Sequence, residues 1–428
     1  MVKVKTSAPA RTPRPMIAHQ ELLHFAGFDW ASDHHDVVVL DKTGHILESF
    51  RLDHTTAGWK QWTLRVAKYP NLGVAIETSF GAVVDQLLQS EVTVYPVSPL
   101  SAKRYRERKA PSGTKTDFHD GWSIGDALRT DGHHWRPLSA KDPMIEHLRI
   151  LCRDEVALIE ERTALIHQAR QAARDYYPTA VEAFDDWTLP SVWSFIETFP
   201  DTASLVKAGP KKWQRFLHAH KLYRPSTTEK RLALFASAAE WNIPEYMVSA
   251  KRIYLLTKIK QLRALEKQLD EYRRLIQALF DKHPDSGLFG SIPGAGEKLA
   301  PRLLAEIGSD RALFEDASGL QCISGTAPVS FQSGKLHKVK MRRACNHHLR
   351  HTIHLFADCS RQSSTWASAY YDALKARGKT HAQALRSLGQ RWLKIIFRMW
   401  QDGTRYDADL HMRNQVAHGS WVLSAPTK

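Results

Sequence analysis

Four carboxylates are placed where they could share a metal. Asp29 lies at the end of the apolar segment ELLHFAGFDW, between Phe28 and Trp30, and Glu77 lies near the end of another, LGVAIET. Asp117 and Asp120 stand three apart in KTDFHD, so on a helix they share a face. Asp29, between two aromatics, has lost hydration and needs a cation or a donor nearby. Four acids converging on one point repel unless divalent cations lie between them, and hard oxygen ligands select Mg²⁺, with Mn²⁺ able to substitute. Two such ions ~4 Å apart can clamp the attacking and leaving oxygens of a phosphodiester. Taken singly, each acid reads better as a solvated residue; Asp117 and Asp120 would suit a helix start through the macrodipole alone. A second candidate is Ser333 in Phe331-Gln-Ser-Gly-Lys335, followed by Lys338, Lys340, Arg342 and Arg343. A serine before glycine can sit on an exposed tight turn, where the cations would attract a phosphate and ease loss of the hydroxyl proton. Serine-glycine turns are common, so spacing alone does not single it out.

The elements around Asp29 give the acids a common frame. Residues 22–29 read as a buried strand, Val37 to Leu40 as a β-branched second, and Lys42-Thr-Gly44 as a hairpin turn into a third, Ile46 to Leu52. A helix over Ala57 to Tyr69, a strand over Leu72 to Thr78, a helix over Phe80 to Gln89 and a strand over Val92 to Val97 follow. Next come the basic segment SAKRYRERK, Ser101 to Lys109, and a helix over Lys115 to Thr130. This β-β-β-α-β-α-β-α order is that of an RNase H-like domain, and it sets Glu77 on the strand expected beside that of Asp29.

From Pro143 to Tyr177 the pattern predicts a long helix, with Ile145, Leu148, Cys152, Val156, Ile159 and Ile166 on one face. A matching helix runs from Ser249 to Lys282. There Leu255, Ile259, Leu262, Leu265, Leu269, Tyr272, Ile276 and Leu279 form a coiled-coil seam that pairs the two helices, within one chain or between chains. Between them, residues 178–248 carry Trp187, Trp193, Trp213 and Trp241 among repeated prolines, read as a helical insertion whose tryptophans pack rather than stack on bases. The last third opens with Ile292-Pro-Gly-Ala-Gly296 before an apolar helix, Leu299 to Ile307. The pattern is that of a helix-hairpin-helix turn, where backbone N–H groups meet a phosphate, or of an ordinary glycine turn. Thr326 to Arg343 is a basic loop or hairpin, and helices are expected near 345–362, 366–377 and 380–402. His347 and His351, four apart after Cys345, have the spacing of a zinc pair, but with no fourth ligand evident they read better as packed or phosphate-facing histidines.

Charge narrows the partner. The 428 residues hold 60 Lys plus Arg against 45 Asp plus Glu, a formal net charge of +15. That surplus calls for a polyanion, nucleic acid first. No apolar run approaches the ~20 residues that span a bilayer. Met1 to Gln20 carries Lys3, Lys5, Arg11 and Arg14 without the apolar core of a secretory signal. Four cysteines without a CxxC pair read as reduced thiols in a cytoplasmic protein.

These residues resemble the DEDD-type transposases of bacterial insertion sequences, whose characterised members are RNA-guided bridge recombinases. The resemblance covers roughly 22–130 and 288–408. GFDWASDHHDVVVLD, IET and KTDFHD match the three acidic blocks. IPGAG with LLAEIG, GTAPVSFQSGK, RACNHHLR, YYDALKARGK and WQDGTRYD match the C-terminal domain. It implies an α/β plus α protein: a disordered basic tail (1–20), an RNase H-like, RuvC-like DEDD domain (21–140) and a coiled-coil spacer with its insertion (141–284). A mainly helical transposase domain with the helix-hairpin-helix-like start (285–408) and a tail (409–428) complete it. Asp29, Glu77, Asp117 and Asp120 fall on the metal quartet and Ser333 on the nucleophile. The candidate nucleic-acid contacts are Lys115, Gly294, Gly296, Gly334, Lys335, Arg342, Arg343, Asn346 and Arg350. Gly121 replaces the family's small alanine after the last acid, and Cys345 replaces a glycine before Asn346.

The implied activity is cutting and rejoining of DNA strands in transposition through a phosphoserine ester, with Mg²⁺. Its partners would be element ends, target DNA and a structured guide RNA, and its site would be completed between protomers of a dimer or tetramer. The expected location is cytoplasmic, on the nucleoid, with no membrane. Two other classes fit the same charge. One is a Holliday-junction-resolvase-like nuclease using water; the other is a non-catalytic nucleic-acid-binding scaffold. Metal-dependent cleavage excludes the scaffold, and a covalent protein–DNA adduct excludes the resolvase.

Overall fold

Asp29 sits on the central strand of a five-stranded sheet. In the computed structural model, residues 17–90, 92–110, 113, 115–139, 142–240, 243–334 and 336–419 are described. They form two units, Met1–Lys141 and Asp142–Lys428. In the first unit, β1 (His24–Trp30), β2 (His34–Asp41) and β3 (Ile46–Asp53) form an antiparallel meander. Helix α1 (Thr56–Val66) leads to β4 (Leu72–Ile76), which lies parallel to β1 on its other side. Helix α2 (Ala82–Gln89) leads to β5 (Thr93–Pro96), parallel to β4. The strand order is β3-β2-β1-β4-β5. Helices α3 (Pro99–Lys109) and α4 (Asp117–Asp131) close the unit.

Strand alternation sorts the side chains onto two faces. Ala26, Phe28, Val37, Val39, Val74 and Ile76 pack with Trp62 of α1 and Val83, Val84 and Leu87 of α2. Phe25, Val38, Leu40, Ala75 and Tyr95 pack with Ala102 of α3 and Ile124 and Leu128 of α4. Every residue of β4 is buried, as a parallel strand covered on both sides requires.

Local chemistry trims the expected elements. Gly81, at φ +104°, cannot be helical for an L residue, so α2 begins at Ala82 and not at Phe80. The Thr116 hydroxyl accepts from the His119 N–H, so α4 starts at Asp117, with both acids in its first turn. The strand of Glu77 ends at Ile76 and leaves the acid just beyond it. The basic segment from Ser101 is part of helix α3, capped by Ser98 and opened by Pro99.

The second unit is largely helical. Helix α5 (Pro143–Tyr176) is followed by α6 (Pro178–Ala183), α7 (Pro190–Thr198), α8 (Thr202–Ala219), α9 (Pro225–Ser237) and α10 (Glu245–Asp281). The insertion's repeated prolines open helices: Pro178, Pro190 and Pro225 each stand in a first turn. Trp187, Trp193 and Trp213 are buried among Phe184, Phe195, Phe216 and Phe235, so they pack; Trp241 lies outside the described residues. Lys251 pairs with Asp175 (2.6 Å) and Arg162 with Glu266 (3.0 Å), so α5 and α10 run antiparallel within the chain. Leu255, Ile259, Leu262 and Leu269 have no exposed surface there.

Beyond α10 come α11 (Ser286–Gly290), α12 (Gly296–Ile307) and α13 (Ala317–Ile323). An antiparallel hairpin follows, β6 (Val329–Ser333) and β7 (Leu336–Lys340). Helices α14 (His347–Ser363), α15 (Thr365–Ala376) and α16 (His381–Asp402) share one core with α12, built on Phe289, Leu303, Phe356, Trp392 and Trp400. The segment expected as a tail carries α17 (Ala408–Ala417), capped by Asp407, with His411 against Trp366. Among the described residues no helix is long and apolar enough to cross a membrane.

Candidate active site

The carboxyl ends of β1 and β4 lie side by side, which is where open α/β sheets place ligands. Asp29 is the penultimate residue of β1 and Glu77 the first after β4. Alternation turns Asp29 to the sheet face on which α4 packs. Its close approach depends on Gly27: a Cβ there would lie 1.7 Å from the Gly121 carbonyl oxygen, and one on Gly125 would lie 2.6 Å from the Gly27 nitrogen. The first turn of α4 thereby brings Asp117 and Asp120 to the acids of the sheet.

Electrostatics record the convergence. Burial pushes the Asp29 carboxyl up to about 7, with further upward pushes from Asp120, Glu77, Asp117 and Asp36. Burial, then Asp120, raises Glu77 above the usual carboxylate range, while Arg106 and Lys115 oppose the rise. Lys115 thus stands in the field of the acids. Asp120 is buried, 2.7 Å from an Arg106 Nη1. Arg51 forks onto Asp36 at 3.1 and 2.8 Å and reaches Asp117 at 3.1 Å. Arg51, Arg106 and Lys115 do not balance five carboxylates. The donors are oxygens and the local charge is negative, so the residues fit a hard divalent cation.

Sequence reasoning missed Asp36, which stands directly across from Asp29 on β2. Its signal lay in the run SDHHD, but only the strand register identifies which acid faces Asp29. Among the described residues, the group whose ligand atoms all lie within 4.8 Å of one another is His34, Asp36 and Asp117. The fields of Asp36 and Asp117 reach Asp29, as do those of Glu77 and Asp120, but Asp29, Glu77 and Asp120 are not part of that group. His347 and His351 gather no third metal ligand among the described residues.

Ser333 closes β6 in the second unit. The next residue, Gly334, has φ +55° with open space around its Cα, so the serine stands at an exposed tight turn. Lys335 lies outside the described residues. Several of the other predicted contacts have structural partners. Gly294 (φ +86°) abuts α14, where a Cβ would come within 2.7 Å of the Ser360 Cα, whereas Gly296 is open. Asn346 caps α14 by accepting from the Leu349 N–H at 3.1 Å, and its amide donates to Glu306 at 2.7 Å. Arg350 donates to the Arg342 carbonyl and so ties the chain leaving the hairpin to α14; Arg343 is exposed.

An acid-lined α/β domain, consistent with the RNase H-like arrangement, followed by a helical unit defines a nucleic-acid-processing class. Residues 26–178 match the family model of DEDD transposases of the IS110 type, and residues 286–372 match that of the transposase IS116/IS110/IS902 family. The mini-circle putative transposase for IS117 of Streptomyces coelicolor is 32% identical over 394 residues, covering 90% of this chain and 95% of that protein. An uncharacterized 43.6 kDa protein of insertion element IS110 from the same organism is 28% identical, covering 70% of this chain and 73% of its own. An uncharacterized 42 kDa protein of insertion element IS900 from Mycobacterium paratuberculosis is 28% identical, covering 68% and 73%. The chain belongs to the IS116/IS110/IS902 transposase family, and it is an enzyme of insertion-sequence transposition.

Proposed function

We propose that this transposase cuts and rejoins DNA through a covalent phosphoserine intermediate. The observation that carries the reading is the convergence of Asp29, Glu77, Asp117 and Asp120, with Asp29 pushed up to about 7. These four, with Asp36 beside them, would hold a divalent cation, Mg²⁺ or Mn²⁺. Bound there, the cation supplies charge withdrawal from the phosphate oxygens. Ser333 gives up its hydroxyl proton and its oxygen bonds to phosphorus; the bond to the leaving deoxyribose oxygen breaks, and that oxygen takes a proton. The ester conserves the phosphodiester bond, so attack by a second strand's hydroxyl rejoins DNA without ATP.

The finer assignments follow the same reading. The first unit is RuvC-like, the α5–α10 pair is a coiled-coil spacer, and the Pro293–Gly296 turn is a helix-hairpin-helix-like phosphate contact centred on Gly296. Lys115, Gly334, Lys335, Arg342 and Arg343 meet nucleic acid, while Gly294, Asn346 and Arg350 support that surface from within. A structured guide RNA selects the DNA by base pairing, which leaves the protein to read shape and backbone. The chemistry requires the acids and a Ser333 to meet on one phosphodiester, and we assign that meeting to protomers of a dimer or tetramer. The enzyme acts in the cytoplasm, on the nucleoid.

The test is the covalent adduct. Wild-type protein with Mg²⁺, guide RNA and matching DNA retains DNA after denaturation, whereas Ser333→Ala binds RNA normally and loses adduct and strand exchange together. Ser330→Ala, three residues earlier and off the turn, has a mild effect. Strand exchange by Ser333→Ala at near wild-type rate would replace the serine by water as the nucleophile.

A further inference from the structure

The hairpin that carries Ser333 has two unlike faces. Residues directly opposite in an antiparallel pair share a face, as does every second residue along a strand. The pairings Val329↔Lys340, Phe331↔Lys338 and Ser333↔Leu336 therefore set these six side chains together. All ten strand residues are exposed, including Phe331 at 46%, Leu336 at 43% and Val329 at 39%. The Lys340 ammonium lies 4.9 Å from the Phe331 ring centroid. A lone two-stranded hairpin is at best marginally stable in water, so a mixed apolar and basic face that exposes Val329, Phe331 and Leu336 is built to be covered. Charge identifies the cover. From Ala317 to Ala357 the sequence holds no Asp or Glu, but has Lys335, Lys338, Lys340, Arg342, Arg343 and Arg350. A second copy of a chain at +15 is a poor match for that surface; a nucleic acid is a good one.

We propose that Phe331 is a base-stacking platform: its ring takes the face of an unstacked DNA base beside the phosphate offered to Ser333, with Lys338 and Lys340 on flanking phosphates. The proposal rests on the assignment of Ser333 as nucleophile. Two residues along a strand span ~7 Å, about two nucleotides at the ~3.4 Å rise of one DNA strand. The base so held therefore neighbours the reacting phosphate. Every base has a π face, so such a platform tolerates any sequence and leaves sequence choice to pairing. Phe331 is in this account a positioning residue. It keeps the DNA open at the point of attack.

The test is binding of full-length protein to a labelled oligothymidine single strand carrying 4-thiothymidine, with photo-crosslinks mapped by mass spectrometry. Phe331→Ala is expected to weaken binding about 5- to 100-fold. Phe331→Trp restores it and Phe331→Leu does not, because leucine keeps the apolar area and loses the π face. Crosslinks fall within Val329 to Lys340. Lys338→Gln with Lys340→Gln lowers the slope of log affinity against log salt by about 1.4. None of these side chains is buried, so all variants keep the wild-type melting temperature. The proposal is overturned if Phe331→Leu binds like wild type, if crosslinks avoid the hairpin, or if Phe331→Ala reduces oligomer mass with DNA affinity unchanged. Binding needs no chemistry: Ser333→Ala should bind as wild type does, so a failed serine mechanism appears only in the adduct assay and a failed platform only in affinity.

Discussion

A carboxyl group held at about 7 among four other acids resists ionisation until a cation arrives, and this sets what substitution at Asp29 must do. Asp29→Asn or Glu77→Gln removes a ligand charge without adding bulk. Each is expected to cut strand cleavage about 100-fold or more, while DNA affinity by gel shift holds or rises slightly, since a negative charge has gone. Retained cleavage in both variants would remove the quartet from the mechanism. His35 offers a separate test by pH. It is fully buried, accepts from the Ala31 N–H and so donates through Nε2 to His54 at 2.9 Å. Burial first, then His54 and His34, lower its pKa from 6.5 to about 4. A folded-state pKa below the unfolded one means that the unfolded chain binds protons first as pH falls. The stability contribution is complete above about 6.5 and lost as pH drops through about 4, on the order of 3 kcal/mol. His35→Gln should flatten that part of a urea-midpoint profile; an unchanged slope would mean that His35 already titrates freely. At this scale the sequence displayed the four acids and the serine by type and position. It did not display Asp36, Arg51 or Arg106, because they join the site through strand register and helix packing across 15, 66 and 14 residues of chain.

Among the elements, α4 on β1 is the packing that builds the site, and its glycines do different jobs. Gly27 and Gly125 have no room for a Cβ, whereas one on Gly121 would find its nearest neighbour, the Gly27 carbonyl oxygen, at an ordinary 3.4 Å. Gly121 stands where the family has a small alanine, a glycine inside a helix loosens it, and the packing gives it no compensating need for glycine. Gly121→Ala should therefore stabilise the N-terminal unit by up to ~1 kcal/mol in urea. Gly125→Ala should cost about 1–3 kcal/mol or more, because backbone must move. Equal effects would mean that α4 is not seated as described. The long helices show the limit of pattern reading from the other side. Their heptad seam was plain in the sequence, but periodicity does not say which chain supplies the partner. Leu262 and Leu269 are fully buried against α5 of the same chain, so charges placed there would attack the fold before any oligomer contact. Helix α3 was hidden for the opposite reason: it is rich in Lys and Arg and buries only Ala102, so an apolar stripe hardly appears.

At the scale of the whole molecule, each unit has its own core. The sheet's two faces draw on residues up to Trp135 and Leu138, and the helical cores begin at Ile145. Among the described residues, the acids gathered around Asp29 lie in the first unit. Calorimetry of the full chain is therefore expected to resolve two transitions, one per unit, since cooperative unfolding follows the packed unit. Gly121→Ala identifies the first unit's transition as the one it raises. Added Mg²⁺ should raise that same transition and leave the other in place. Binding to the folded state alone stabilises by RT ln(1 + [L]/Kd), about 2.7 kcal/mol at a hundredfold excess over Kd, and only the unit that holds the ligands gains it. EDTA should reverse the shift, and Asp29→Asn should largely remove it while raising the metal-free transition, because the cost of burying an ionisable carboxyl among other acids is gone. A Mg²⁺ shift shared equally by both transitions, or one that survives Asp29→Asn intact, would place the cation elsewhere and leave the raised Asp29 without its partner.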